Sequence, residues 1–147
     1  MNTAFAIVAP SNVAHFAELY ATVFNAAPWQ DGWSIPAATE RLQALAAMPR
    51  FEALAAYQAE AAVGLVLGSG ERWAKGWVLH LREMFIAPAL QRSGIGKALL
   101  AEFERSLAGK YLGVYLQTGG AVPAKDFYTQ CGYAPTNLVS MRKRIEV

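Results

Sequence analysis

Leu81-Arg82-Glu83-Met84-Phe85-Ile86-Ala87-Pro88-Ala89-Leu90-Gln91-Arg92-Ser93-Gly94-Ile95-Gly96-Lys97 is the stretch whose reading decides the fold. Apolar residues lead up to a proline, as at the end of a strand, and two glycines then open a segment of helical periodicity. A strand, a tight turn and a helix start in that order form a phosphate cradle. Glycines keep side chains away from the first-turn amides, whose unpaired N–H groups converge on an anion with the positive end of the helix dipole behind them. Gly94-Ile95-Gly96 is followed by no lysine-serine or lysine-threonine pair and by no third glycine placed for a dinucleotide fingerprint. A nucleotide P-loop and an NAD site both lose ground.

Working outward, Ile95, Leu99, Leu100, Phe103 and Leu107 fall on one side of an amphipathic helix over Gly94–Leu107, which Gly109 ends. Upstream, Trp77–Ile86 reads as a long strand, and Ser69-Gly70-Glu71-Arg72 as the turn before it. Phe51–Tyr57 and Ala62–Leu67 read as two strands joined at Gln58-Ala59-Glu60. Nearer the amino terminus, Phe5 and Ile7 mark a short strand stopping at Pro10, and Ser11 is expected to cap a helix over Asn12–Asn25. Residues 27–33 form a loop with two tryptophans, and Pro36 suits the first turn of a second helix that ends by Pro49. Downstream, Tyr111–Gln117 reads as a strand, Val122–Gln130 as a short helix, and Val139–Ile145 as a final strand suited to a sheet edge or a subunit contact. The class is α/β, in the α+β sense, with a mixed central sheet of about six to seven strands and about four flanking helices.

A second motif, Phe127-Tyr128-Thr129-Gln130-Cys131-Gly132-Tyr133, follows with one expected strand between it and the glycine turn. The first motif resembles motif A of the GNAT acyltransferases, Q/R-x-x-G-x-G/A, met by Gln91, Gly94 and Gly96. The second resembles that family's carboxy-terminal F-Y-x-x-x-G-F/Y signature. Two motifs in this order are far more specific than either alone. The element order agrees with the GNAT, or acyl-CoA N-acyltransferase, fold over nearly the whole chain, although residues 1–75 match in pattern only.

The resemblance implies a single acetyltransferase domain over residues 1–147 with acetyl-CoA as cosubstrate and no metal. It implies that backbone amides from Gln91, Arg92, Ser93, Gly94, Ile95, Gly96 and Lys97 hold the pyrophosphate, with added charge from Arg92 and Lys97, and that Met84, Phe85 and Ile86 pair with pantetheine as a neighbouring strand would. Either cation can equally be a solvated surface residue. Tyr128 takes the position of the tyrosine that protonates the departing thiolate, with a packed core tyrosine as the plainer alternative.

Acetyl transfer to an amine also needs the ammonium proton removed. Glu83, sharing the alternation Leu81, Glu83, Phe85 with apolar residues, is the first candidate for that task, set against a glutamate paired with Arg82 or another base. His80 is the fallback. Cys131 has no histidine near it in sequence and reads as a packed small residue rather than a nucleophile. Trp29, Asp31 and Trp33, with Glu40, Trp73 and Trp77, are candidates to hold a cationic amine; for each alone, capping the core or solvation is the simpler role. Loops of the Pro-Trp kind occur in GNAT enzymes that modify aminoglycosides and other small amines, so a small-molecule amine is the expected acceptor.

Composition sets the remaining bounds. At 147 residues and 54% hydrophobic, the chain has material for one core. Its net charge of +2 owes much to Arg142, Lys143 and Arg144, which is no nucleic-acid footprint. No run of roughly 18 apolar residues suggests a membrane span, and MNTAFAIVAP lacks a basic lead. With one cysteine, a cytoplasmic protein is expected, and a homodimer is compatible with the pattern. Two rival functions stand beside transfer: a catalytically silent acyl-CoA sensor or partner module, and a phospholigand-binding α/β domain outside the family.

Overall fold

The computed structural model describes residues 2–120 and 123–146, in two compact units, 1–117 and 118–147. The first unit is a five-stranded sheet, β1 (Thr3–Ile7), β2 (Phe51–Gln58), β3 (Ala61–Trp73), β4 (Gly76–Ile86) and β5 (Val114–Tyr115), in sequential order. The first four strands run antiparallel, and β5 lies parallel to β4.

Helices cover both faces of this sheet. On one side a 3-10 segment (Pro10–Phe16), α1 (Ala17–Asn25) and α2 (Ile35–Ala46) bury Val13, Phe16, Tyr20, Leu42 and Leu45 against Ala53, Ala55, Leu65, Leu67 and Phe85. On the other side lies α3 (Ile95–Leu107), whose buried residues are the five on the stripe read from sequence. Being covered twice, β3 is buried without a break from Val63 to Ser69, which is why its sequence runs apolar rather than alternating. No helix among the described residues is long and apolar enough to cross a membrane.

The structure departs from the sequence expectations at four places. Ser11 caps nothing: the chain enters at Ala9 through a 3-10 segment started by Pro10. The side-chain cap is Ser34, whose Oγ accepts from Ala37 N at 3.1 Å and starts α2. Ser69-Gly70-Glu71-Arg72 is not a turn, because pairing with β4 carries β3 on to Trp73. Gly70 serves close packing there, since a Cβ on it would lie 2.8 Å from Arg50 Cβ. The strand expected over residues 111–117 shrinks to Val114–Tyr115.

In the second unit α4 spans Pro123–Gln130, and the expected helix start at Val122 lies outside the described residues. The fourth departure is the tail: Val139, Met141 and Ile145 alternate as a strand would, yet stand exposed and pair with no strand among the described residues. Alternation describes a strand's two faces but supplies no hydrogen-bonding neighbour. Among the described residues the sheet therefore counts five strands where six to seven are expected.

Candidate active site

The strand-turn-helix stretch folds as a cradle. After a 3-10 turn over Pro88–Leu90, Arg92 (φ +63°) and Gly94 (φ +90°) both take left-handed backbone, and the chain turns into α3. No side chain caps α3 and its first turn holds no acid, so the amides of Ile95, Gly96 and Lys97 point outward unclaimed by the helix. Nothing lies within 4 Å of where a Gly94 Cβ would be, so the space before these amides is open. Gln91 acts as a strut, its side-chain amide donating to Ile86 O at 3.1 Å, while the Ser93 hydroxyl donates to Leu90 O. Arg92 and Lys97 are exposed and make no ion pair among the described residues.

The edge of β4 that leads into the cradle is open. Among the described residues β5 pairs only with Leu79 and His80, so Glu83 to Ile86 have a strand neighbour on the β3 side alone. Met84 is half-buried, and Phe85 and Ile86 are buried.

Glu83 does not sit as the simple alternation implies. Between Leu67/Glu83 and Gly68/Leu81 the β3–β4 ladder shifts by one residue, so Arg82 is bulged. The register then puts Glu83 and Phe85 on the face of Leu65 and Leu67, under α1 and α2, while Leu81 turns to the α3 face. Glu83 is not paired with Arg82. Its Oε2 accepts from the Tyr20 hydroxyl at 2.6 Å and from Arg41 Nε at 3.1 Å, and Oε1 makes no hydrogen bond among the described residues. Tyr20 is held well above the ordinary phenol pKa, by burial first and then by the Glu83 charge. It therefore stays a donor.

The aromatic set divides. Trp29 packs on Phe24 and Trp33 on Tyr20, at 5.3 and 5.1 Å between ring centres, so both cap the core. Trp33 Nε1 donates to Asp31 at 3.2 Å, and Asn25, which sequence reasoning passed over, grips the Trp33 backbone with both side-chain atoms. Trp33 and Glu40 also line an open depression with Ala37, Arg41 and Ala44. Trp77 lies elsewhere, under the Arg50 guanidinium at 3.7 Å, while Trp73 is exposed and donates to Glu71. Among the described residues no group of three or more His, Cys, Asp or Glu is placed to hold a metal.

Within the second unit the F-Y-x-x-x-G-Y spacing has a local cause. Gly132 (φ +96°) follows α4 in left-handed backbone, Tyr133 N donates to Tyr128 O at 3.0 Å and Gly132 N to Thr129 O at 3.1 Å. This double bond pattern closes a helix end, and the rings of Tyr128 and Tyr133 meet across it at 5.8 Å. Phe127, Tyr128 and Cys131 are all half-buried.

Over residues 49–135, more than half of the chain, the sequence matches the family described as "Acetyltransferase (GNAT) domain". The chain belongs to the GNAT acetyltransferase family. That stretch contains the open β4 edge, the cradle and the α4 cap. Among solved structures, this GNAT chain is similar in fold to an aminoglycoside acetyltransferase from an uncultured soil metagenomic sample, in complex with sisomicin (20% identity, 98% and 97% of the two chains, TM-score 0.79). It is also similar to the aminoglycoside N-acetyltransferase AAC(6')-Iy in complex with CoA (15% identity, 97% and 95%, TM-score 0.76). A third is a possible acetyltransferase from Clostridium difficile 630 (13% identity, 100% of both chains, TM-score 0.80). A search of the curated proteins finds no match to the sequence.

Proposed function

We propose that this chain is a single-domain N-acetyltransferase that moves the acetyl group of acetyl-CoA directly to the primary amine of a small molecule within a ternary complex. The observation that carries the reading is the uncapped α3 N-terminus with Gly94 at φ +90°, set at the end of the β4 edge that β5 leaves open. Unclaimed amides at a helix start suit a doubly anionic pyrophosphate, and an open strand edge suits an arm that contains amide groups. The residues we assign to the donor are Gln91 to Lys97 for the pyrophosphate and Met84, Phe85 and Ile86 for pantetheine.

For the chemistry, Tyr128 is assigned to protonate the thiolate, on the strength of its place in the α4 motif. Glu83 is assigned to the acceptor side, where Oε1 is available to an ammonium or to its water while Tyr20 and Arg41 fix Oε2. The small-molecule acceptor is supported by fold neighbours that are aminoglycoside acetyltransferases, and Trp29, Asp31 and Trp33 are assigned to its border. The lone cysteine suits a cytoplasmic setting.

The test is mass-spectrometric detection of an N-acetylated product after incubation with acetyl-CoA and a panel of polyamines, aminoglycosides, arylalkylamines and amino acids. An acetylated amine is expected. CoA binding with no product from any amine would favour the silent sensor instead.

A further inference from the structure

Beyond the bulge, the same face of the sheet carries a second polar group that the assignment above leaves unused. Glu71 on β3, His80 on β4 and Tyr115 on β5 meet there, with Trp73 and Arg82 beside them. Tyr115 stacks on His80, the rings 4.3 Å apart and 20° from parallel. The Tyr115 hydroxyl lies 2.8 and 2.9 Å from the two Glu71 oxygens, and Trp73 Nε1 donates to Oε1 at 3.3 Å. His80 Nδ1 is 3.2 Å from Glu71 Oε2 and 3.1 Å from the Tyr115 oxygen.

A carboxylate only accepts, so the contact with Glu71 assigns the hydrogen to Nδ1, with the Tyr115 hydroxyl donating to Glu71 rather than to the ring. Nε2 is then left with its lone pair, and it makes no hydrogen bond among the described residues. This is the arrangement of an oriented imidazole base, with an acid behind one nitrogen and the other nitrogen unused. The His80 side chain is 12% exposed, enough to be reached from outside. Its position is specific as well: His80 and Tyr115 form the last rung that β5 makes with β4, so the imidazole stands where the open edge begins.

We propose that His80 is a catalytic residue of the transfer reaction, its Nε2 receiving the proton of the attacking amine, with Glu71 and Tyr115 as positioning residues that hold its tautomer and ring plane. The inference rests on the transferase function proposed above. The amine lone pair forms the C–N bond at the thioester carbonyl carbon, the C–S bond breaks, and the electron pair leaves on sulfur. The proton lost by nitrogen passes to Nε2 and then to solvent, and the thiolate takes up a separate proton. No electrons are gained or lost overall.

The titratable groups facing His80 are Glu71 from β3, Arg82 from β4 and Tyr115 from β5. Burial first, and the Arg82 charge second, hold the imidazole below its usual pKa against the upward pull of Glu71. His80 is therefore neutral at neutral pH, as a base must be. Tyr115, raised to about 12 by burial and by its bonds to Glu71, stays a neutral support.

The experiment is steady-state kinetics against pH for the full chain and for His80→Gln, Glu71→Gln and Glu83→Gln. The probe is the fastest acceptor among spermidine, sisomicin, tyramine and alaninamide. His80→Gln is expected to lower kcat by about 100-fold or more, to leave the KM for acetyl-CoA nearly unchanged, and to remove the acid limb. Glu71→Gln is expected to keep that limb but move it to lower pH, because the raising influence on His80 is gone. A kcat for His80→Gln within about threefold of wild type, with its acid limb intact, overturns the proposal. Nitrogen-15 NMR of His80 gives a readout that needs no turnover: an Nε2–H tautomer in the folded chain also overturns it. If the wild type binds CoA and acetylates none of the four amines, the transferase reading itself fails and takes this role with it.

Discussion

Gly68 packs directly against the carbonyl of His80, with no room between them for a Cβ. The contact sits opposite the bulge at Arg82, so one glycine lets β4 kink, and the kink sends Glu83 to the α1 and α2 face. Gly68→Ala must push the β4 backbone away, since the obstacle is main chain and not a flexible side-chain end. We expect a loss of about 1–3 kcal/mol in urea denaturation, together with a fall in kcat. Wild-type stability in this variant would show that the bulge does not depend on the glycine.

Tyr20 and Arg41 hold the same oxygen of Glu83 with unequal consequence. Tyr20 is buried and Glu83 is nearly so, whereas the Arg41 side chain is 42% exposed and water screens its charge. Tyr20→Phe should therefore cost about 1.5–3 kcal/mol and Arg41→Ala about 0–1 kcal/mol. Chemical denaturation checks the order, and a larger loss for Arg41→Ala would contradict the geometry.

Gly94 separates backbone strain from ligand binding. Gly94→Ala meets no neighbour but must hold φ +90°, at a cost of about 1–2 kcal/mol. Gly109→Ala, in equally open space at φ +82° beyond the other end of α3, carries the same kind of strain and serves as the control. CoA should bind about tenfold more weakly to the Gly94 variant and unchanged to the Gly109 variant by calorimetry. Equal CoA affinity in both variants would remove the cradle from the donor site.

Alkaline pH should destabilise the fold through its tyrosines. Tyr111, bonded to Glu52, and Tyr115, bonded to Glu71, are each pushed up to about 12, by burial first and then by those bonds. Because the folded value lies above the unfolded one, their contribution is complete below the ordinary phenol pKa of 10.0 and is lost as pH rises toward 12. Tyr111→Phe should make the decline in unfolding free energy between about pH 10 and pH 12 shallower. A slope identical to wild type would mean that Tyr111 titrates normally.

What could be read from sequence was what the chain specifies locally. The α3 stripe, the glycine turn and the α4 ending each depend on residues a few positions apart, and each stands as expected. The bulge could not be read, because the two-against-one count at Arg82 exists only against β3. The same holds for Tyr20–Glu83 and Glu71–His80–Tyr115, whose members are brought together by strand order rather than by spacing. Ser69-Gly70 has turn composition, but two neighbouring strands outweigh it. Ser34 did leave a signal, a serine two residues before Pro36, and Asn25 left none that distinguishes it from a loop residue.

The most direct test of acetyl transfer is free-thiol release from acetyl-CoA by the intact chain, measured with and without amines and repeated with Tyr128→Phe. Amine-dependent thiol release that falls sharply in the variant is the predicted result. Thiol release that ignores the amine, or none at all from a chain that fails to bind CoA, would contradict it.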